Sequence, residues 1–163
     1  MPERQIRLFG DPVLKTISDP IVVIDDRVRS LVQDLVDSVR LPGRAGVAAS
    51  QIGVNLRAFS YNVDGEVGYM LNPTIVELSG EPEMVDEGCL SVPGLWYPTE
   101  RFPFAKAVGT NLDGETIELS GTGIMAQALQ HETDHLDGLL YLDRLTKENR
   151  RAAMKEVRES DWF

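Results

Sequence analysis

A chain of 163 residues, 42% of them hydrophobic, is long enough to bury a core, and we expect one domain over residues 1–163. The net charge of −10 disfavours non-specific nucleic-acid binding, no specific nucleic-acid motif is present, and no apolar run approaches the ~20 residues that span a bilayer. A single cysteine excludes an internal disulfide, and no apolar signal-peptide core follows the first four residues. We therefore expect a cytoplasmic protein with no membrane partner.

The first half of the chain begins with helical patterns and continues with strand patterns. Asp11 before a proline is typical of a capped helical turn. A longer helix is predicted after residues 25–26, because apolar residues recur at helical spacing from Val28 to Val39. The glycines within residues 43–46 interrupt that pattern. Six strand patterns follow at residues 57–62, 66–71, 74–78, 83–86, 105–111 and 116–120, separated by turns such as Asp64-Gly65, Ser79-Gly80 and Asp113-Gly114.

Two further helices are predicted near the end of the chain, at residues 123–136 and about 147–159. Asp113-Gly114 between two strand patterns indicates a hairpin, which favours antiparallel pairing. The order of elements predicts an α+β fold, with largely antiparallel sheets packed around the central helix and a C-terminal helix after it.

The predicted central helix carries the pattern His-Glu-x-x-His, formed by His131, Glu132 and His135. Two histidines four residues apart lie on the same face of a helix, so both imidazoles can bind one metal ion. The glutamate between them can then accept a proton from the attacking water. Because these are the only histidines in the chain, the pattern favours a metallohydrolase over a chance pair of helix residues.

A third ligand has to be found, because catalytic sites of this kind usually have three protein ligands. Metzincin proteases place a histidine six residues after the second one, but Tyr141 occupies that position here. Glu148 and Glu156 are weaker candidates, since no motif surrounds them. We favour Cys89, whose neighbour Gly88 permits close backbone approach, although a free cysteine is often simply a small core residue.

Three motifs, in order, resemble those of the peptide deformylase family. The family motif Glu-Gly-Cys-Leu-Ser is complete at residues 87–91, and Gln-His-Glu-x-Asp-His-Leu-x-Gly is complete at residues 130–138. The motif Gly-x-Gly-x-Ala-Ala-x-Gln appears at residues 44–51, with Arg44 in place of its first glycine. The resemblance covers nearly the whole chain, and the predicted terminal helix after Leu142 is similar to that of bacterial type 1 members.

This resemblance implies a metal-dependent hydrolase of protein biosynthesis. It would remove the N-formyl group from the formyl-methionine of nascent polypeptides and release formate. The implied metal ligands are Cys89, His131 and His135. The implied ion is Fe²⁺, although Zn²⁺, Ni²⁺ or Co²⁺ suit the same donors in isolated protein. Glu132 is then the group that carries the proton.

The resemblance also implies how the reacting group and the peptide are held. The Gln51 side-chain amide and the Leu90 backbone N–H are expected to donate to the oxygen that becomes negative during attack. The peptide is expected to bind as an added strand near the first two motifs. The residues expected to contact the substrate are Ala45, Gly46, Gly88, Ile124, Gln127 and Ala128.

Two departures from the family pattern lie beside the expected cleft. Arg44 could narrow the cleft, contact the peptide or point outward, and it disfavours the positive φ that a glycine permits, for which Gly43 could partly compensate. Trp96, between Leu95 and Tyr97, could line the cleft or simply pack against the protein. Neither departure changes a predicted ligand, so we expect the chemistry to survive.

Alternatives to this function also stay open. One is a metalloendoprotease that uses Glu132 on internal peptide bonds; another is a deformylase-like protein with altered substrate preference or reduced activity because of Arg44. The C-terminal helix carries five basic and three acidic side chains. The resemblance implies that this helix contacts the ribosome, whereas its composition alone also suits a solvated helix with internal ion pairs.

Overall fold

The computed structural model describes residues 4–163, which have the predicted α+β fold. Within that range the α-helices are α1 (Asp26–Val39), α2 (Gly123–Leu136) and α3 (Lys147–Arg158). The strands are β1 (Gly46–Ala48), β2 (Ala58–Val63), β3 (Glu66–Ser79), β4 (Glu83–Cys89), β5 (Val92–Arg101), β6 (Phe104–Thr110) and β7 (Thr116–Thr122). Short 3₁₀ turns cover Pro12–Lys15, Ala49–Ile52 and Tyr141–Arg144.

The strands form one large sheet and one hairpin, and every named pair is antiparallel. The large sheet has the order β1-β2-β3-β6-β7, and β4 pairs with β5 separately. The Asp64-Gly65 turn joins β2 to β3 with φ angles of 52° and 83°, as a two-residue hairpin turn requires. The hairpin predicted at Asp113-Gly114 is confirmed, because it joins β6 to β7.

Strand β3 corrects one prediction, since the two strands expected at residues 66–71 and 74–78 are a single element. Asn72 has a φ of 47° and lies in a register shift between Leu71 and Thr74. Its amide exchanges two hydrogen bonds of 2.8 Å with the backbone of Ile21. The break in the sequence pattern is therefore a bulge, which bends the strand without ending it.

Strands β1 and β5 were missed by the sequence prediction. Three residues are too few for β1 to display an alternating pattern. Strand β5 contains Pro93, Gly94 and Pro98, which usually argue against a strand. It pairs only with β4 in the described chain, so a proline that lacks an N–H can be accommodated on its other side.

Helices α1 and α2 cover opposite faces of the large sheet. Successive residues of a strand point to opposite faces. Accordingly Val47 and Ala58 pack in the core cluster that contains α1, whereas Ala48 and Phe59 pack in the cluster that contains α2. The sheet thus lies between the two helices, and α2 is held along its length.

Helix α2 ends at a defined point that its sequence dictates. Gly138 has a φ of 76°, its N–H donates to the His135 carbonyl, and the N–H of Leu139 donates to the Asp134 carbonyl. This is a Schellman ending, which favours glycine at the left-handed residue. A Cβ at residue 138 would also lie 2.8 Å from the Lys15 carbonyl oxygen. The helix that carries the histidines is therefore fixed at its C-terminal end.

Helix α3 closes a third core cluster beside the β4–β5 hairpin. Its buried residues Ala153 and Val157 pack with Val92, Leu95 and Tyr141. Across the helices of residues 4–163, none combines the length and the apolar character that crossing a bilayer requires.

Candidate active site

Three side chains from two elements bring their donor atoms to one point. Cys89 ends β4, whereas His131 and His135 lie one turn apart on α2. The ligand atoms all lie within 4.8 Å of one another, with 3.2 Å between the two Nε2 atoms and 3.4 Å between Cys89 Sγ and His135 Nε2. A tetrahedral ion with metal–nitrogen bonds of about 2.1 Å would set two nitrogen ligands about 3.4 Å apart. The donors and their spacing therefore fit a divalent metal ion.

The other residues considered as a third ligand are not members of this cluster. Tyr141 is buried, and its hydroxyl donates to the Leu95 carbonyl at 3.4 Å. Glu156 accepts a hydrogen bond from the hydroxyl of Tyr97, and Glu148 is exposed in the first turn of α3. Neither glutamate belongs to the metal-binding cluster found within residues 4–163.

Glu87 fixes the ring of His131. Its Oε2 lies 2.6 Å from His131 Nδ1. Burial alone would raise the pKa of Glu87, but hydrogen bonds from Arg101 and His131 outweigh burial and lower that pKa to about 2. An ionised carboxylate can only accept hydrogen bonds, so Nδ1 carries the hydrogen. The lone pair of His131 Nε2 is then available to a metal ion, in the arrangement typical of metal-binding histidines.

The site stabilises positive charge. Burial by itself would lower the pKa of His131, but Glu132, Cys89 and Glu87 outweigh it and raise that pKa well above its ordinary value. Burial and the charge of His131 lower the pKa of His135 well below its ordinary value. A buried point with three acidic groups around it and one neutral imidazole is electrostatically suited to a divalent cation.

Arg101 joins the two halves of the site. Its Nε and Nη2 donate to the two oxygens of Glu87 at 2.9 and 2.6 Å, and its Nη1 donates to Asp134 Oδ2 at 2.9 Å. Asp134 accepts two more hydrogen bonds from Arg144. The side chains of Arg101 and Glu87 are only 4% and 3% exposed, so these charges compensate one another inside the protein. The β4 motif and the α2 motif are thereby held in one arrangement.

Glu132 lies against Gly46 of β1. A Cβ at residue 46 would lie 2.6 Å from Glu132 Oε2, so a glycine there leaves room for the carboxylate. Burial is the largest influence on Glu132 and raises its pKa to about 7. Its Oε1 is buried without a hydrogen-bond partner among residues 4–163. A carboxyl group with this pKa and an unpaired oxygen is suited to proton transfer.

Gln51 has its amide oriented by the backbone. Its Oε1 accepts a hydrogen bond of 3.0 Å from the Ala48 N–H, which leaves the Nε2 group to point at the β4–β5 hairpin. There Nε2 lies 3.2 Å from Ser91 Oγ and 3.6 Å from Cys89 Sγ. An amide donor is thus held beside the predicted metal ligands.

These groups lie along a cleft of about 450 Å³. All six residues predicted to contact the substrate line it, together with Gln51, Leu90, Cys89, His131 and Glu132. His135 is fully buried behind this surface. Trp96 lines the cleft as well, and the residue is 71% exposed, so it does not serve as core packing.

Arg44 lies at the cleft without the backbone strain that a positive φ would impose. The positive φ falls on Gly43, at 82°, and Arg44 is not among the residues with positive φ, so the arginine introduces no backbone strain of that kind. Its Nη1 donates to the Ser38 carbonyl at 2.9 Å, near the C-terminal end of α1, where a cation is favourable. The half-buried side chain also lines the cleft.

The sequence analysis missed Arg101 as a member of the site. It lies outside the three motifs, and no local pattern marks it. The available signal was indirect: Glu87 and Asp134 are carboxylates inside motifs, and both are buried. Buried carboxylates require a positive partner, but this burial is visible only in the structure, so the sequence alone did not identify Arg101.

Comparisons with known proteins agree with this geometry. The family model described as polypeptide deformylase matches residues 3–151. A peptide deformylase from Parafrankia sp. is 50% identical over 163 residues, covering 99% of this chain and 89% of that protein. Peptide deformylase 1 from Corynebacterium efficiens is 41% identical over 167 residues, covering 100% and 99%. A crystal structure of a peptide deformylase from Legionella pneumophila superposes with a TM-score of 0.89 at 32% identity, covering 96% of this chain and 94% of that one.

Alkylation of Cys89 tests whether its sulfur binds metal. Because ligation occupies the thiolate, the metal-loaded protein should react with iodoacetamide at least about tenfold more slowly than the metal-free protein. Cys89 is the only cysteine, so the mass of the labelled protein reports on it alone. Restoring the metal should restore the protection, and equal rates with and without metal would remove Cys89 from the ligand set.

Proposed function

The chain belongs to the peptide deformylase family, metal-dependent hydrolases that remove the N-formyl group from nascent polypeptides, and we propose specific roles for its residues in that reaction. One observation carries the proposal. The metal-binding cluster, the buried carboxyl group of Glu132 and the oriented amide of Gln51 all meet at the base of one cleft.

Cys89, His131 and His135 hold the metal, which we propose to be Fe²⁺. Donor chemistry alone also permits Zn²⁺, Ni²⁺ or Co²⁺, because one thiolate and two imidazoles suit all of these ions. When bound, the ion acts as a Lewis acid and makes a water molecule nucleophilic at neutral pH. The bond from His131 Nδ1 to Glu87 holds the ring in the orientation and tautomer that ligation needs.

Glu132 moves the proton. It accepts a proton from the attacking water, and it delivers that proton to the leaving amine when the formyl C–N bond breaks. The products are formate and a free α-amino group. The buried, unpaired Oε1 and the pKa near 7 support this role, because a group of that pKa can both accept and donate at neutral pH.

Gln51 and Leu90 stabilise the developing negative charge. The Nε2 group of Gln51 is directed at the cluster by the bond from Ala48 to its Oε1. Leu90 follows Cys89 in the turn of the β4–β5 hairpin, so its backbone lies beside the reacting group. Hydrogen-bond donors fixed before the reaction lower the barrier because no further reorganisation is needed.

The nascent peptide lies against the edge of β1. This strand ends the large sheet, so within residues 4–163 one of its edges has no strand partner. The Ala45 carbonyl accepts from Asn62 of β2, and successive residues of an antiparallel strand alternate in direction, so Gly46 directs its backbone groups to the unpaired edge. Gly46 lines the cleft, where an extended peptide can pair with it.

The metalloendoprotease alternative is not favoured. The position that carries the third histidine in metzincins is the buried Tyr141, whose hydroxyl is bonded to the backbone of Leu95.

We propose that the protein works in the reducing cytoplasm, on chains that are still being synthesised. A single cysteine, which can form no internal disulfide, is typical of proteins in an environment that keeps thiols reduced.

We propose that α3 contacts the ribosome. Of its five basic side chains, only Arg150 forms an ion pair in the described chain, with Asp143 at 3.2 Å. Lys147, Arg151, Lys155 and Arg158 are exposed. Exposed cations of this kind can neutralise RNA phosphates, which would place the cleft near emerging chains.

Replacing Glu132 tests the reaction and the role of the base together. Protein purified without oxygen and loaded with Fe²⁺ should release formate from formyl-Met-Ala and leave acetyl-Met-Ala intact. Glu132→Gln should retain the metal and lose kcat by at least about a hundredfold, because an amide cannot carry the proton. The matched control Glu148→Gln, on the exposed face of α3, should keep both metal and turnover. Near-normal kcat in metal-loaded Glu132→Gln would assign the base to another group.

Replacing Arg44 tests whether this side chain tunes substrate preference. Arg44→Gly should change KM for formylated peptides by about threefold and leave kcat nearly unchanged, because the ligands and Glu132 are untouched. Any advantage of formyl-Met-Asp over formyl-Met-Ala should disappear. Arg44→Met, which keeps the length and removes the charge, separates the two causes. Unchanged constants on both peptides would show that Arg44 serves only the end of α1.

Charge reversal on α3 tests the ribosome contact. The double variant Arg151→Glu with Lys155→Glu should co-sediment with ribosomes about tenfold more weakly at low salt, and its turnover of free peptides should stay normal. The matched control is Arg27→Glu with Arg29→Glu on α1, which makes the same change in net charge. Equal losses in the two variants would indicate a general charge effect, and no loss in either would exclude this surface.

A further inference from the structure

The outer wall of the cleft is the segment of residues 92–96, which begins β5. Val92 and Leu95 are buried at 0% and 5% exposure, and they anchor the segment in the core beneath α3. Gly94 lies between them with a φ of 84°. Trp96 points the other way, into the cleft, and is 71% exposed. The segment thus places one large aromatic side chain in the cleft, where it is exposed to solvent.

Trp96 is nevertheless held in a definite place. Its six-membered ring lies so close to Gly88 that a Cβ there would be 2.7 Å from the Cε3 and Cζ3 atoms. Ile124, at 55% exposure, also lines the cleft. Exposed apolar groups that line a cleft commonly mark a surface that a ligand covers. The rim formed by Trp96 and Ile124 is therefore suited to apolar side chains.

The C-terminal segment fixes this wall from behind. Trp162 donates its Nε1–H to the Pro93 carbonyl at 3.0 Å. Its indole is partly buried against the cluster that contains Val92 and Leu95. Proline has no N–H, so the backbone of the wall at this residue can be bonded only through its carbonyl.

Two further contacts hold the same elements together. Tyr97 follows the wall directly in the chain, and its hydroxyl donates to Glu156 of α3. The ring of Phe163 lies 6.1 Å from that of Phe9. The N–H of Phe9 donates to the Ser91 carbonyl, immediately before the wall. Trp162 lies outside residues 3–151, which the family model matches.

We propose that Trp162 is a positioning residue that fixes the cleft wall so that Trp96 contacts large apolar side chains following formyl-methionine in the substrate. The proposal rests on the proposed function, because it concerns the peptide in the same cleft. Trp96 is the residue that touches the substrate, and Trp162 acts through Pro93. The expected preference is for apolar rather than small residues after formyl-methionine.

Kinetics on three peptides test the proposal. Formyl-Met-Ala reports the basic reaction, formyl-Met-Leu-Phe offers large apolar side chains, and formyl-Met-Gly-Gly has the same length without them. Trp162→Phe keeps an aromatic ring and removes only the N–H donor. It should raise KM for formyl-Met-Leu-Phe by about threefold or more, the typical effect of one hydrogen bond, with kcat unchanged. KM for formyl-Met-Gly-Gly should change by less than that.

Two other variants make the outcome decisive. Trp96→Ala should abolish the preference for formyl-Met-Leu-Phe over formyl-Met-Gly-Gly. Phe163→Tyr keeps an aromatic ring beside Phe9 and retains the indole donor of Trp162, so it should keep that preference. An equal effect of Trp162→Phe on both tripeptides, or an unchanged preference in Trp96→Ala, would overturn the proposal. Absence of formate release from formyl-Met-Ala by the parent protein would instead contradict the proposed function itself.

Fluorescence gives a readout that does not depend on turnover, because Trp96 and Trp162 are the only tryptophans. In metal-loaded protein with Glu132→Gln, Trp162→Phe leaves Trp96 as the only tryptophan. Acrylamide quenching of Trp96 should fall when formyl-Met-Leu-Phe binds, and less so with formyl-Met-Gly-Gly. In the matched protein with Trp96→Phe, quenching of Trp162 should be unchanged. Protection of Trp162 alone, or no protection in Glu132→Gln protein that retains both tryptophans, would exclude Trp96 as the contact residue.

Discussion

The buried guanidinium of Arg101 is the interaction on which the site depends. It donates hydrogen bonds to Glu87 in the β4–β5 hairpin and to Asp134 in helix α2. Removing one partner of such a buried pair typically costs about 3–5 kcal/mol, because it leaves a charge without compensation. The hairpin and the helix are thus tied by electrostatics at the place where each contributes metal-binding side chains.

The interactions of Arg101 also determine the state of a metal-binding side chain. Arg101 keeps Glu87 ionised, Glu87 fixes the hydrogen on His131 Nδ1, and the opposite nitrogen of that ring is left for a ligand. In the same cleft, Gly46 leaves the space that Glu132 occupies. The cluster therefore depends on residues other than its own three ligands, and its geometry is set when the protein folds.

The sequence predicted the parts of this site that are encoded locally. His131 and His135 are recognisable because a helix places residues four apart on one face, and the structure brings Cys89 to them. Long-range features were not predictable in the same way. No sequence pattern around Arg101 indicates its partners. The prolines of β5 argue against a strand in the sequence, although β4 pairs with this segment in the structure. The bulge at Asn72 was predicted as a break between two strands, because its hydrogen-bonding partner, Ile21, is distant in sequence.

The unpaired edge of β1 has a consequence for solubility as well as for binding. An open strand edge offers hydrogen-bonding groups to any extended chain, so exposed edges favour aggregation between molecules. Strand β1 has only three residues, and the N–H of Ala48 on that edge is already bonded to the Gln51 side chain. The remaining open length, at Gly46, can receive the backbone of one short peptide segment. It is too short to serve as a template for the sheet of a second protein molecule.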